Sequence, residues 1–350
     1  MVGDIVPMLV DPKTASRDFW TRYHAYRRLR QKETRPDDPI RPDDQVEARM
    51  RRDDPFEIVY LYEMQRDGQM WSWFKGSTLR PGTPEYDTNK QFFWVDCSVR
   101  KDVRRRGIAT SWIPLVVDLL DRHGCTVLNV DTEQESGHAF LRWLGAEEKL
   151  TGAENRLDLK DVDWRMVERW ITEGAEHSPQ TRLEVYDGRL PEELWDDYSR
   201  QLTPIVNTLP YENLDHGDEV ITPDNFREWY AQMDIGNERH HVVIAREPDG
   251  VIAGVTDMTW APFRPMVIEQ ELTAVLPSAR GRGIGKWIKA TMLLHVRQLY
   301  PDLRWVSTGN ASSNAPMLSI NRRLGFKQYR AGSEYQISRQ RLAARLKVPQ

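Results

Sequence analysis

Cysteine is nearly absent from this 350-residue sequence: Cys97 and Cys125 are the only two, too few for a disulfide framework or a zinc knuckle. Long apolar runs are missing as well. No stretch approaches the roughly 18–20 residues that a membrane helix needs, and no signal-peptide core opens the sequence. A cytoplasmic protein with no membrane partner is therefore expected. A basic surplus is also lacking. The net charge is −4, whereas general affinity for nucleic acid needs a concentrated positive surface, so no nucleic-acid partner is expected.

What is present describes a folded chain with more than one core. Hydrophobic residues make up 39%, enough to build packed cores. Single cores stop growing near ~250–300 residues, so the length points to two domains. Thirteen tryptophans are unusually many, and serve either as core filler or as aromatic walls of a ligand pocket. Cys125, in an apolar run, reads as packing material.

Periodicity divides the chain into two similar passes. A helix over 17–31, broken by the proline-aspartate stretch at 35–44, precedes a hairpin of 57–64 with 69–79. A strand at 92–99, a helix with Pro114 inside its apolar stripe, a strand at 126–132 and a short helix closed by Gly145 follow. NRLDL at 155–159 closes the first pass. After a linking helix at 163–173, the second pass has a strand at 181–188 and helices at 192–203 and 223–233. A hairpin at 240–260 and a strand at 270–277 come next. A long helix, a strand at 303–309, a helix at 314–323 stopped by Gly325 and a strand at 334–338 complete it. The economical reading is a duplicated α+β fold: two tandem domains, 1–177 and 178–350, each a mixed, mostly antiparallel sheet flanked by helices.

The repeat is anchored by two arginine-glycine loops. RRRGIA at 104–109 and RGRGIG at 280–285 lie in register, 176 residues apart (104 to 280, 107 to 283), each five residues after a strand valine, Val99 or Val275. Gly107 and Gly283 let backbone approach a ligand, and a helix starting there offers unpaired N–H groups with the positive end of its dipole. A phosphate or pyrophosphate suits such a place, with the flanking arginines and Lys286 adding charge. A Walker loop is excluded because Gly285-Lys286 is followed by Trp287 rather than a hydroxyl residue. The G-x-G-x-G spacing and the preceding hairpins also fit a Rossmann fingerprint poorly.

The pattern V-x-x-x-x-R-x-x-G-x-G/A, from strand through loop to helix, resembles the acyl-coenzyme A site of the GNAT superfamily of N-acyltransferases. The match is long in the second half: LTAVLPSARGRGIGKWIKATMLL followed by TGNASSNAPMLSINRRLGF. Asn310, Asn314 and Asn321, with the terminal Leu-Gly-Phe, resemble the superfamily's second coenzyme-contacting segment. The first half keeps Val99, Arg104, Gly107 and Ala109 but lacks those asparagines. The tandem arrangement is similar to mycothiol synthase and related actinobacterial proteins.

The resemblance implies an N-acetyltransferase that uses acetyl-CoA, with a catalytic second half and a degenerate first half. The acceptor it implies is a small-molecule amine, and the chain would be a monomer or homodimer. It implies a strand splayed at a bulge, offering backbone to pantetheine at Ala274, Val275 and Leu276, and at Cys97 and Val99 in the first half. Pyrophosphate would rest on Arg280, Gly281, Arg282, Gly283, Ile284, Gly285 and Lys286, or on Arg104, Gly107 and Ala109. Direct transfer needs a base to deprotonate the ammonium form of the amine. Glu269 and Glu271, on one strand face just upstream of the loop, are the candidates. The family's acid is a tyrosine four residues before the closing glycine. Asn321 and Leu141 stand there instead, leaving water, Tyr329 or Tyr335.

The loop at 206–219 corresponds to the segment that roofs the acceptor pocket, where Asp215, Asp218 and Glu219 would favour a cationic amine. His240 and His241 alternate faces of one strand, so they cannot jointly chelate a metal, and no metal is expected. Two other readings stay open: an acyl-CoA-responsive module without catalysis, and a phosphate-binding scaffold unrelated to coenzyme A.

Overall fold

A computed structural model describes residues 5–347. The chain begins with β1 (Met8–Leu9), α1 (Arg17–Thr34), α2 (Asp43–Met50), β2 (Glu57–Arg66), β3 (Gln69–Leu79) and α3 (Tyr86–Asn89). β4 (Phe92–Val99), α4 (Ile113–His123), β5 (Val127–Thr132) and α5 (Glu135–Leu144) follow. The middle of the chain forms β6 (Glu147–Asp158), α6 (Trp164–His177), β7 (Arg182–Tyr186), α7 (Trp195–Val206) and α8 (Pro223–Ile235). Then come β8 (Arg239–Arg246), β9 (Ile252–Trp260), β10 (Val267–Val275), α9 (Ile284–Leu299), β11 (Trp305–Ala311), α10 (Ala315–Leu324), β12 (Lys327–Ser338) and α11 (Arg339–Ala344).

Two compact units emerge, and the chain passes between them more than once. Unit 1 holds residues up to 150, 213–218 and those from 332 onward; unit 2 holds 151–212 and 219–331. A single cut at 177–178 therefore does not describe the division. The closing strands are exchanged. In unit 1, β5 pairs with the last part of β12, Thr132 opposite Ser333 through Val127 opposite Ser338. In unit 2, β11 pairs with β6, Trp305 opposite Asp158 through Ala311 opposite Gly152. NRLDL thus closes the second sheet rather than the first. Core packing accompanies the exchange: Tyr335 and Ile337 enter the core of unit 1, while Leu157 joins Val306, Leu324 and Phe326 in that of unit 2.

Each unit is a mixed sheet with one parallel pair. In unit 1 the order is β1-β2-β3-β4-β5-β12, with β4 and β5 parallel. In unit 2 it is β6-β11-β10-β9-β8-β7, with β10 and β11 parallel. Both parallel ladders are short. β4 pairs with β5 only over Phe92–Val95 and β10 with β11 only over Val267–Gln270, after which each pair of strands parts. A cleft opens at the same place in both units.

Helix starts were less legible than strands. Pro114, inside the apolar stripe of its helix, sits in the first turn of α4, behind a 3₁₀ turn over Thr110–Trp112. A proline there forfeits no hydrogen bond, because first-turn amides have no helical acceptor. The stretch expected only to break the first helix also contains the start of α2, whose Asp43 and Asp44 complement the helix dipole. In unit 2, Gly174 lets α6 lie against α9: a Cβ there would stand 2.4 Å from the Trp287 ring.

Candidate active site

The two loops share one device. Arg104 donates from Nε to the Val99 carbonyl at 3.0 Å, and Arg280 does the same to the Val275 carbonyl at 3.2 Å. The first arginine of each motif thereby ties the loop to the end of its own strand. Beyond that point the loops differ. In unit 2, Gly281 and Gly283 take φ of +83° and +81°, and α9 starts at once, with Gly283 as its N-cap. A Cβ at either glycine would meet nothing within 4 Å, so the space before them is open. Among the described residues, the amides of 281–285 find no acceptor within the chain. Open amides at a helix N-terminus are able to hold an anion.

The arginines contribute less to this N-terminus than their charge suggests. Arg282 directs Nη1 to Glu247 at 2.7 Å and Nη2 to Thr181 at 2.8 Å, and Arg280 also reaches Thr208 at 3.1 Å. Lys286 lies 5.9 Å above the Trp170 ring. In unit 1 the corresponding loop is more constrained. Arg105, at the place of Gly281, adopts φ of +63°, which costs a non-glycine residue strain. The loop then runs into the 3₁₀ turn, so the α-helix proper begins later.

Upstream of the unit 2 loop, β10 is bulged. Its register with β9 shifts between Gln270 and Thr273, whereas β4 pairs with β3 without interruption. Buried Gln270 holds the bulge, its Nε2 donating to Thr256 Oγ1 and to the carbonyls of Asp257 and Leu272 at 2.8–3.0 Å. The Leu272 amide donates to Asp257 Oδ1 at 2.7 Å. A bulge re-aims the side chains it carries, and here it carries Glu271. Water reaches this carboxylate. Crowding by protein, then the charges of Asp257 and Glu269, push it up to about 7. That is a useful value for a general base at neutral pH. Glu269, by contrast, is paired with Arg264 at 2.5 Å.

Behind Glu271 runs a buried relay. The Leu190 amide donates to Tyr230 Oη at 2.8 Å, and Tyr230 lies 2.9 Å from His240 Nδ1. His240 Nε2 lies 2.9 Å from Asp257 Oδ2. The Leu190 bond leaves the tyrosine proton for Nδ1, so Nε2–H donates to Asp257, a tautomer assigned from the network. The alternation of His240 and His241 along one strand gives no sign of this relay. The available signal was Asp257, an acid inside the apolar run of β9.

The asparagine segment forms one cluster and one cap. Asn321 Nδ2 donates to Asn310 Oδ1 at 2.7 Å, and Asn314 caps α10 by accepting from the Met317 amide at 3.3 Å. Asn321 is buried, and its Oδ1 has no partner among the described residues. The tyrosine candidates are occupied. Tyr335 belongs to unit 1, where it bonds His138 at 2.9 Å. Tyr329 is covered by the Arg156 guanidinium at 3.7 Å. The acidic loop is also redistributed. Asp215 bonds Gln336 through its backbone, and Asp218 accepts from Thr88 and Asn89 through its carbonyl, all within unit 1.

Unit 1 contains a cavity of about 710 Å³ where β4 and β5 part. Cys97, Val99, Arg104, Gly107 and Ala109 all line it, so the structure gathers the first-half candidates around one space. Its walls include Phe74, Val95, Ile108, Trp112, Val130 and Trp143, the pocket role considered for the tryptophans. Trp112 stacks on Phe74 at 5.1 Å between centroids. The Cys97 thiol opens onto the cavity but is pushed up to about 12, by burial and then by Asp96, and stays protonated. Cys125 is buried, 3.4 Å from Thr78 Oγ1, as packing requires.

Comparison with protein-family models and with curated proteins returns no match. Solved structures do match. A tandem GNAT protein from the clavulanic acid biosynthesis pathway, solved without AcCoA, aligns over 96% of this chain and 99% of its own, with a TM-score of 0.72 at 19% identity. A GCN5-related N-acetyltransferase from Sphaerobacter thermophilus aligns over 96% of both chains, with a TM-score of 0.58 at 14% identity. A glucosamine N-acetyltransferase region of a fungal multi-domain GH3 β-N-acetylglucosaminidase gives 0.64 at 12% identity, over 96% of this chain and 38% of that one. The likeness in fold spans both units.

Proposed function

We propose that this chain, which carries the tandem GNAT fold, is an acyltransferase that moves an acetyl group from acetyl-CoA directly to a small-molecule amine in unit 2. The observation that carries the reading is Glu271, set on a bulge beside the splayed strand and held near 7. Pyrophosphate would lie on the amides of 281–285, with pantetheine along Ala274–Leu276 toward Asn310 and Asn321. Glu271 would take a proton from the ammonium group, directly or through water, while its neighbour Glu269 stays paired with Arg264. Backbone N–H groups of the splayed strand would polarise the thioester carbonyl. Water would protonate the leaving thiolate, since Asn321 replaces the family's tyrosine.

A second reading, binding of acyl-CoA without transfer, is favoured by one observation, the cavity of unit 1 with its arginine-glycine loop. Thiol release from acetyl-CoA across a panel of small amines separates the two. Turnover above background that falls about 100-fold in Glu271→Gln, and stays within a few-fold in Glu269→Gln, supports transfer in unit 2. Tight coenzyme binding without turnover on any amine would favour the sensor.

A further inference from the structure

On the opposite face of β8 from His240, three potential metal ligands converge in unit 2. Asp187 follows β7, His241 lies on β8 and His295 on α9, and one ligand atom of each lies within 4.8 Å of the others. His241 is fully buried.

Both ring nitrogens of His241 have polar neighbours. Tyr300 Oη lies 2.7 Å from His241 Nε2, and the Gly188 amide donates to Nδ1 at 3.3 Å. In the tautomer that keeps its proton on Nε2, toward Tyr300, His241 presents Nδ1 as a ligand. Asp187 Oδ1 lies only 3.1 Å from this same Nδ1. Either a proton on Nδ1 or a metal ion fits in that gap. His295 adds an independent sign: its Nε2 is buried and has no partner among the described residues. Tyr300, stacked on Trp260 at 4.6 Å, fixes the His241 ring as an outer-sphere partner does at metal centres.

We propose that Asp187, His241 and His295 bind a divalent transition metal of the zinc type. Two imidazole nitrogens and one carboxylate suit that ion, with water completing a tetrahedron. Exposed Asp187 provides the entry side. The metal would clip the β7–β8 corner to the end of α9, and as a ligand of the folded state alone it would raise thermal stability. It takes no part in acyl transfer, so the proposal is independent of that reading.

The test is isothermal titration of zinc into the full chain, first stripped by a chelator, together with melting curves. Wild type should bind one equivalent with a micromolar or tighter dissociation constant and melt higher with zinc. Asp187→Asn and His295→Gln should each weaken binding at least tenfold and lose the rise in melting temperature. Asp187→Asn changes an exposed side chain and keeps the fold, so its result reads on the metal alone. Absence of stoichiometric binding, leaving only a proton between Asp187 and His241, would overturn the proposal. So would equal binding in both variants, which would place zinc on other imidazoles.

Discussion

Arg104 and Arg280 make the same bond to the carbonyl five residues back, and from that shared point the two units diverge. Unit 1 keeps an open cavity but lets a non-glycine residue, Arg105, adopt the left-handed turn and delays its helix behind a 3₁₀ turn. Unit 2 has glycines at both left-handed positions, a helix that starts at the loop, and a bulge that presents a carboxylate held near 7. The lesson concerns what a duplicated element retains. The strand-to-loop tether, a local consequence of the Val-to-Arg spacing, and the short parallel ladder both persist in the two units. The bulge, which depends on Gln270, Thr256 and Asp257 meeting across strands, occurs in unit 2 and has no counterpart in β4. Loss of the asparagine segment from the first half accordingly does not mean loss of its cleft.

The comparison can be broken most sharply at the loops. Gly283→Glu places a side chain at φ +81° and a negative charge before the open amides. Turnover and acetyl-CoA affinity in unit 2 should fall by about 100-fold or more. Gly107→Glu should leave thiol release within about threefold, since the sites are separate; titration would show whether a second coenzyme site disappears. Equal loss of turnover in both variants would erase the distinction between the units.

Trp112→Ala removes the indole that stacks on Phe74 and donates to Ser72 at 2.9 Å. Denaturant unfolding should show a loss of about 3–5 kcal/mol, as for large-to-small changes at buried aromatics. Thiol release per folded molecule should remain near wild type. A collapse in turnover with the fold intact would instead assign chemistry to unit 1.

Asp257→Asn is the finest cut. Asp257 is the largest like-charge contribution raising Glu271, and asparagine can still accept from the Leu272 amide. Removing the charge should lower the midpoint of the pH–rate profile by less than about one unit, with little change in coenzyme affinity. An upward move of the midpoint would contradict the electrostatic account.

Hairpins and loops were legible because their signals are local: alternation across Arg66-Asp67-Gly68 and Pro248-Asp249-Gly250, and glycines where φ is positive. The closing-strand exchange was not, since NRLDL and the end of β12 suit either sheet by alternation, and only packing selects the partner. Within the site, the sequence brought out Glu269 and Glu271 as equals. What separates them is Arg264 beside one and Asp257 beside the other, contacts set by strand register. The cluster proposed to hold a metal was invisible for the same reason. Asp187, His241 and His295 are scattered over more than a hundred residues, and their encounter belongs to the fold.

The central claim is that Glu271 removes the amine proton in unit 2. Thiol release under coenzyme saturation, followed from pH 5.5 to 9 in wild type and Glu271→Gln, tests it most directly. The rate should rise with pH through a midpoint near 7 in wild type, as the carboxyl loses its proton. In Glu271→Gln the rate should be about 100-fold lower and that inflection absent. A Glu271→Gln enzyme with the wild-type rate and the same midpoint would contradict the account.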